Sequence, residues 1–543
     1  MAITSSLRKN IARYSSASMD PPPPVSPATG ACAGAGAGAA VPVVPCQFQG
    51  MIRGLRAAAR GGQPVPRAPK LTAENLNPNV LEAQYAVRGE IVQRANFFKS
   101  RLRKGDTTLP FTEIFECNVG NPQAVSQKPI TFFRQVLALV TYPELLGMND
   151  GTFRKDAIEK AKEIMQLVPG GSGAYSNSMG HLGIRELVAR FIESRDGHVS
   201  DPEKIFLTDG ASASVKMCLE MLIRGKSDGI MVPIPQYPLY SASIALFGGS
   251  QVNYDLNEEK GWGTSIENLR EAYAKAVGSG VAVRALVVIN PGNPTGQCLE
   301  EKQMREIVQF CQETGVVLLA DEVYQVNVYT NTPFVSFKKV ASDMKTECPD
   351  VHVISFHSVS KGFAGECGRR GGYMELYNIP SDVQAQLYKL ASITLSPNID
   401  GQIMTGLMVD PPQEHHPSFS EYAEEKTGIL SSLKERSNLI VTALNNLEGV
   451  SCNPVEGALY AFPRITLPAK AIEAAEKAGK SPDLYYCLQL LDATGIVVVP
   501  GSGFGQAPGT FHFRTTILPP PEKMQQVTKA MAAFHKNFMA RHT

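Results

Sequence analysis

The strongest constraint on this chain is a recurring pattern in which a short apolar run ends in a cluster of small polar residues. Lys204-Ile205-Phe206-Leu207-Thr208 runs into Asp209-Gly210-Ala211-Ser212, and Ile230-Met231-Val232 runs into Pro233-Ile234-Pro235-Gln236-Tyr237-Pro238. Leu286-Val287-Val288-Ile289 meets Asn290-Pro291-Gly292-Asn293-Pro294-Thr295-Gly296, and Val316 to Ala320 meets Asp321-Glu322-Val323-Tyr324. Val351 to Phe356 ends in His357-Ser358-Val359-Ser360-Lys361-Gly362, followed by Gly368-Arg369-Arg370-Gly371-Gly372. Runs this apolar suit strands buried on both faces. Between them lie helical patterns, such as Lys302 to Glu313 with apolar Met304, Ile307, Val308 and Cys311. Strand, polar turn and helix in repetition give an α/β fold with a mostly parallel sheet. A ligand site then lies beyond the carboxyl ends of the strands, where every polar cluster falls.

The polar clusters carry a coherent chemistry. A lysine just past a buried strand can be desolvated, lose its proton and attack a carbonyl. A Gly-rich turn with an arginine suits a phosphate. An aldehyde and a phosphate together mean pyridoxal 5′-phosphate (PLP). Alone, Lys361 reads by default as a surface lysine after a strand; the other segments overturn that default. Asp321 at a strand end can keep the cofactor's ring nitrogen protonated. Asn293 and Tyr324 can donate to its phenolate oxygen. Gly210-Ala211-Ser212 at a helix start, with Ser358 and Arg370, can hold the phosphate. Tyr237, between two prolines, can stack on the ring. Arg514, in Phe511-His512-Phe513-Arg514, offers a bidentate fork for a substrate carboxylate. Of the neighbours Arg369 and Arg370, the GxRxG spacing favours Arg370 as the inward one.

On these residues the chain resembles the class I/II aminotransferases of the PLP fold-type I superfamily, within them the alanine and glutamate:glyoxylate aminotransferases. The similarity runs from about Leu71 onward and is carried further by Tyr85-Ala86-Val87-Arg88-Gly89, Pro129-Ile130-Thr131-Phe132, Gly173-Ala174-Tyr175-Ser176, the tyrosine-proline motif Pro235 to Tyr240 and Val499 to Gly505. The resemblance implies that Lys361 is the cofactor's lysine and Asp321 its pyridine partner. It implies that Ala211, Ser212, Ser358 and Arg370 bind phosphate, Asn293 and Tyr324 the phenolate, and that Tyr237 stacks. Arg514 would clamp the α-carboxylate. Tyr175 would reach the phosphate of the neighbouring subunit, making the active unit a homodimer. Tyr85 and Arg88 would help read substrate carboxylates, although a helix-surface role for Arg88 carries nearly equal weight. The implied reaction is L-alanine with 2-oxoglutarate giving pyruvate and L-glutamate, ping-pong through pyridoxamine phosphate. Glutamate:glyoxylate transfer, or a lyase or synthase on the same scaffold, are the alternatives, since fold does not fix function.

Composition excludes other classes. Lys+Arg 52 against Asp+Glu 51 leaves no electrostatic case for nucleic acid or an anionic membrane. No run reaches the roughly 18 apolar residues of a membrane span. The cysteines lack metal-ligand spacing and suit a reducing compartment. Cys367 is read as a packed or partly exposed small residue rather than a cofactor contact. A PLP-domain transcription regulator would need a DNA-binding module upstream, where Pro runs and Gly/Ala repeats stand instead.

Residues 1–70 differ sharply from the rest. Asp20 is the only acid before Glu74, against Arg8, Lys9, Arg13, Arg53, Arg56, Arg60, Arg67 and Lys70. Arg-rich, Ser-rich and acid-poor composition is that of an organellar targeting peptide, here mitochondrial with plastid or cytosol as alternatives. Gly30 to Ala40 reads as disordered linker. The remainder divides into a large PLP-binding domain, 123–399, and a smaller α+β domain made of 71–122 and 400–543. The latter's strands are expected in Gly457 to Pro463, Gly495 to Pro500 and Thr510 to Ile517.

Overall fold

All of the apolar runs become strands of one seven-stranded sheet. The computed structural model describes residues 70–85, 89–148 and 151–543. In chain order the strands are β1 (Ile205–Thr208), β2 (Asp228–Ile234), β3 (Ser250–Asp255), β4 (Ala282–Ile289), β5 (Val317–Asp321), β6 (Val353–Ser358) and β7 (Gly372–Tyr377). Across the sheet they lie in the order β1-β7-β6-β5-β4-β2-β3. The pairs from β3 to β6 are parallel, and β7 runs antiparallel to both its neighbours. β3 and β7 were not among the apolar runs. β3 is an edge strand whose residues alternate between buried and solvent-facing, so its sequence, Ser250-Gln251-Val252-Asn253-Tyr254-Asp255, lacks a continuous apolar signal.

Helices fill the connections and flanks: α1 (Glu90–Arg103), α2 (Thr131–Thr141), α3 (Ala211–Leu222), α4 (Leu239–Leu246), α5 (Glu301–Thr314), α6 (Ile399–Val409), α7 (Phe419–Asn445), α8 (Pro482–Thr494) and α9 (Pro521–His542). α5 shows how locally they are specified. A capping box between Glu300 and Gln303 starts it, and Gly315, at φ 71°, ends it in the left-handed region. Its face of Met304, Ile307, Val308 and Cys311 is buried as the spacing requires.

The sheet is buried on both faces by the period-two alternation of its strands. Leu286 and Val288 of β4 join α5 in one core, while Ala285, Val287 and Ile289 join α3 and α4 in another. A third core gathers α2 and α6 against Ile205, Leu207 and Tyr373. A fourth collects α1, α8 and α9 around β8 (Tyr460–Ala461) and β10 (Phe513–Thr516), while Val499 of a third short strand, β9 (Val499–Pro500), packs with Trp262, Phe462 and Phe504. The three strands form an antiparallel sheet in the order β8-β10-β9. Residues 71–543 are one compact unit. The expected boundary at 399/400 falls at the start of α6, whose Ile399, Ile403, Met404 and Leu407 pack with the α2 core. α7 runs from one core into another: Tyr422 packs with α2, whereas Leu433, Ile440 and Leu444 pack with α8 and α9. Among the described residues no helix is long and apolar enough to cross a membrane. The expected targeting segment, 1–70, lies outside the described residues but for Lys70.

Candidate active site

The strand ends open on one cavity of about 260 Å³, lined by Ala211, Ser212, Tyr237, Asn293, Asp321, Tyr324, Ser358, Lys361, Arg370 and Arg514. Asp321 is the last residue of β5, and its side chain emerges at the sheet's carboxyl edge. Tyr240 of α4 donates to its Oδ2 at 2.8 Å, while Oδ1 is buried with no partner. Burial pushes this carboxyl up to about 6, against the pull of the Tyr240 hydrogen bond. Lys361 follows β6 and donates from Nζ to the Gly120 carbonyl at 2.8 Å. The same Nζ lies 5.9 Å from the Tyr324 ring centre.

One end of the cavity is built from α3's N-terminus and the turn before β7. Gly210 precedes α3 at φ 77°, and a Cβ there would come within 2.6 Å of Arg370 Nη2. Arg370 itself adopts the left-handed region, φ 52°, a conformation uncommon for residues other than glycine and concentrated at functional sites. It donates to the Asp209 carbonyl at 2.7 Å and to Ser360 Oγ at 3.3 Å. Arg369 turns away to pair with Asp400 at 3.2 Å, so Arg370 is the inward arginine. Ser358 Oγ donates to the Gly371 carbonyl at 3.1 Å, tying the end of β6 to the turn before β7.

Arg514, in β10, is 1% exposed. Its partners are neutral: Asn293 Oδ1 at 3.0 Å and the Asn118 carbonyl at 2.5 Å, with Nε unpartnered. The guanidinium lies 4.1 Å from the Tyr460 ring centre and 4.7 Å from that of Phe504. No acid pairs with it among the described residues.

Two candidates stand apart from this cavity wall, and a third cannot be located. Tyr175 is 78% exposed. Tyr85 is at the surface, its hydroxyl 2.7 Å from that of Tyr237. Arg88 lies outside the described residues. The sequence reading missed Tyr240, Tyr460 and Gly120. Tyr240 carried a signal, standing three residues after Tyr237 at the start of an apolar helix. Cys367 was expected as a packed or partly exposed residue; it is half-buried and also lines the cavity, its Sγ 3.0 Å from the Ser360 carbonyl.

This set fits PLP. The unpartnered Asp321 Oδ1 awaits a donor, as a protonated ring nitrogen would be. Burial keeps the Tyr324 phenol well above its ordinary range, hence a donor. With Oδ1 committed to Arg514, the Asn293 amide has its N–H groups free to turn to an acceptor. The α3 N-terminus and Arg370 present N–H groups to an anion. A mostly parallel sheet bearing that set at its strand ends defines a PLP enzyme of fold type I.

Comparison with known proteins narrows the class. Residues 143–531 match the aminotransferase class I and II family. A probable mitochondrial alanine aminotransferase of Dictyostelium discoideum is 57% identical over 87% of this chain and 90% of its own length. Glutamate–glyoxylate aminotransferase 2 of Arabidopsis thaliana is 52% identical over 87% of this chain and 97% of its own. The solved alanine aminotransferase of Pyrococcus furiosus superposes with a TM-score of 0.68 at 24% identity, covering 87% of this chain and all (100%) of that one, a likeness of fold. The chain belongs to the class I and II aminotransferases, and its cofactor is pyridoxal 5′-phosphate.

Proposed function

We propose that the protein transfers the amino group of L-alanine to 2-oxoglutarate, giving pyruvate and L-glutamate. The observation carrying this is Arg514. A guanidinium buried among aromatic rings with only neutral partners is costly, and a carboxylate docked through two parallel bonds relieves that cost. Every amino and 2-oxo acid brings such a carboxylate. The choice of alanine rests on the name of the Dictyostelium relative. The Arabidopsis relative favours a second reading, glutamate with glyoxylate.

In this reading PLP supplies the electron sink that makes the substrate's Cα–H acidic. Lys361, standing at the Gly120 carbonyl, would take the proton from the substrate's Cα and hold it for return. Asp321 holds the ring nitrogen's proton, and Tyr240 holds Asp321. Asn293 and Tyr324 donate to the phenolate, and Tyr237 stacks on the ring. Ala211, Ser212, Ser358 and Arg370 hold the phosphate. Tyr175, exposed and away from its own cavity, reaches the phosphate of a second copy, so the working unit is a homodimer. Tyr85 and Arg88 help read substrate carboxylates. The core of α1, α8 and α9 acts as the smaller domain, which closes and excludes water. The acid-poor leader and the Dictyostelium relative's name support a mitochondrial location.

The test is kcat/KM for alanine, glutamate and aspartate against 2-oxoglutarate, pyruvate and glyoxylate. Alanine with 2-oxoglutarate is expected to lead, with one glutamate formed per alanine consumed. Release of ammonia or carbon dioxide in place of glutamate would reassign the reaction to a lyase or decarboxylase.

A further inference from the structure

Tyr460 has no role in the reading above, yet it touches both sides of the cavity. It sits in β8 opposite Thr516, two residues along β10 from Arg514, and is 3% exposed. Its ring packs against the Arg514 guanidinium at 4.1 Å. Its hydroxyl is 3.4 Å from that of Tyr324, the two rings meeting edge to face. Gly120 makes room for it: a Cβ at that position would overlap the Tyr460 hydroxyl and approach Lys361 Nζ to 3.0 Å.

In this contact Tyr324 donates to Tyr460; hydroxyl hydrogens rotate, so the contact can turn round once the Tyr324 hydrogen is given to another acceptor. Burial raises both phenols, but the neighbouring charges of Lys361 and Arg514 outweigh this at Tyr460 and hold it below its ordinary value. With the Tyr324 hydrogen turned to a phenolate oxygen, the Tyr460 hydroxyl is the group left to donate across the 3.4 Å contact.

We propose that Tyr460 is a positioning residue with two separable parts: its ring aims the Arg514 fork, and its hydroxyl donates to Tyr324, strengthening the bond Tyr324 offers the cofactor's phenolate oxygen. This rests on the carboxylate reading of Arg514 and the phenolate reading of Tyr324.

Tyr460→Phe keeps the ring and removes the hydroxyl; Tyr460→Leu removes both. In the holoenzyme, Tyr460→Leu should raise KM for alanine and for 2-oxoglutarate by about tenfold to a hundredfold, and weaken binding of propanoate, alanine without its amine, similarly. Tyr460→Phe should keep these within about threefold but raise the midpoint of the cofactor's visible-absorbance pH titration by about half a unit, because a weaker donor stabilises the phenolate less. Gly120→Ala should raise KM by crowding the hydroxyl, and adding Tyr460→Phe should recover most of the loss. Arg514→Lys is the reference. If it leaves KM unchanged, the carboxylate reading fails, and the ring part with it. If it raises KM while Tyr460→Leu does not, the ring part alone is overturned. An unmoved titration midpoint in Tyr460→Phe overturns the hydroxyl part. Should Tyr460→Leu not fold, the Gly120→Ala pair decides the ring part.

Discussion

Asp321 and Arg514 face one cavity from walls built in opposite ways. Asp321 stands at the end of β5, packed between β4 and β6, with one side-chain partner, Tyr240 of α4. Arg514 stands on a short strand flanked by two still shorter ones, and its partners come from Asn118 and Asn293, far away in sequence. The wall around Asp321 is thus largely local, its side chains carried by strand ends and the turns after them. The wall around Arg514 is assembled from segments that meet only when the chain is fully folded. In the function proposed above, cofactor chemistry falls to the first and carboxylate recognition to the second.

The sharpest blow to the local wall is Lys361→Ala. It should reduce kcat at least about 10⁴-fold, as the proton carrier and the carbonyl-attacking amine are lost together. Borohydride should then couple no cofactor to the protein, and mass spectrometry finding the adduct on another lysine would displace Lys361 from its role. On the assembled wall, Arg514→Lys keeps the charge but loses the planar fork. A loss of about 2–4 kcal/mol in kcat/KM is expected in both half-reactions, with cofactor content unchanged. A lowered melting temperature with normal turnover of alanine would make Arg514 structural.

A third measurement probes how dry the local wall is. In cofactor-free protein the Asp321 carboxyl is raised to about 6 by burial. The folded state then holds a proton that the unfolded chain, titrating near 3.9, has given up. The penalty for keeping Asp321 is therefore absent below about pH 4 and grows as pH rises to about 6. Relative to Asp321→Asn, the cofactor-free protein should lose on the order of 2–3 kcal/mol between pH 4 and 7 by urea unfolding. Parallel stability curves would mean that water reaches Asp321. The smallest effect is expected at the rim. Tyr85→Phe removes one exposed hydroxyl contact with Tyr237 and should cost less than about 1.5 kcal/mol in kcat/KM. A larger loss would make Tyr85 a direct substrate contact.

The same contrast explains what could be read from the sequence. Asp321, Asn293, Ser358 and Lys361 each follow an apolar run by a fixed short step, so strand and side chain were legible together. Arg514 was legible only through its aromatic neighbours in sequence, and one ring that packs on it, Tyr460, is 54 positions away (514 − 460). Nothing near Gly120 marks its carbonyl as the partner of Lys361, because a backbone acceptor leaves no trace in residue type. Tyr85 carried only a motif, and its hydroxyl contact spans 152 positions. β3 escaped because an edge strand wetted on one face lacks the continuous apolar run that marks its buried neighbours.

α7, 27 residues long, has its first half seated in the α2 core and its second in the core of α8 and α9. A rod clamped at both ends makes the two cores partners in melting. Neither can come apart without stripping apolar contacts from a helix the other needs, so residues 71–543 should unfold in a single cooperative step even if the smaller core moves during turnover. Gly428 near the middle of that rod has open space around the position a Cβ would take. Replacing it with alanine should stiffen the rod and raise the midpoint of that one transition without splitting it.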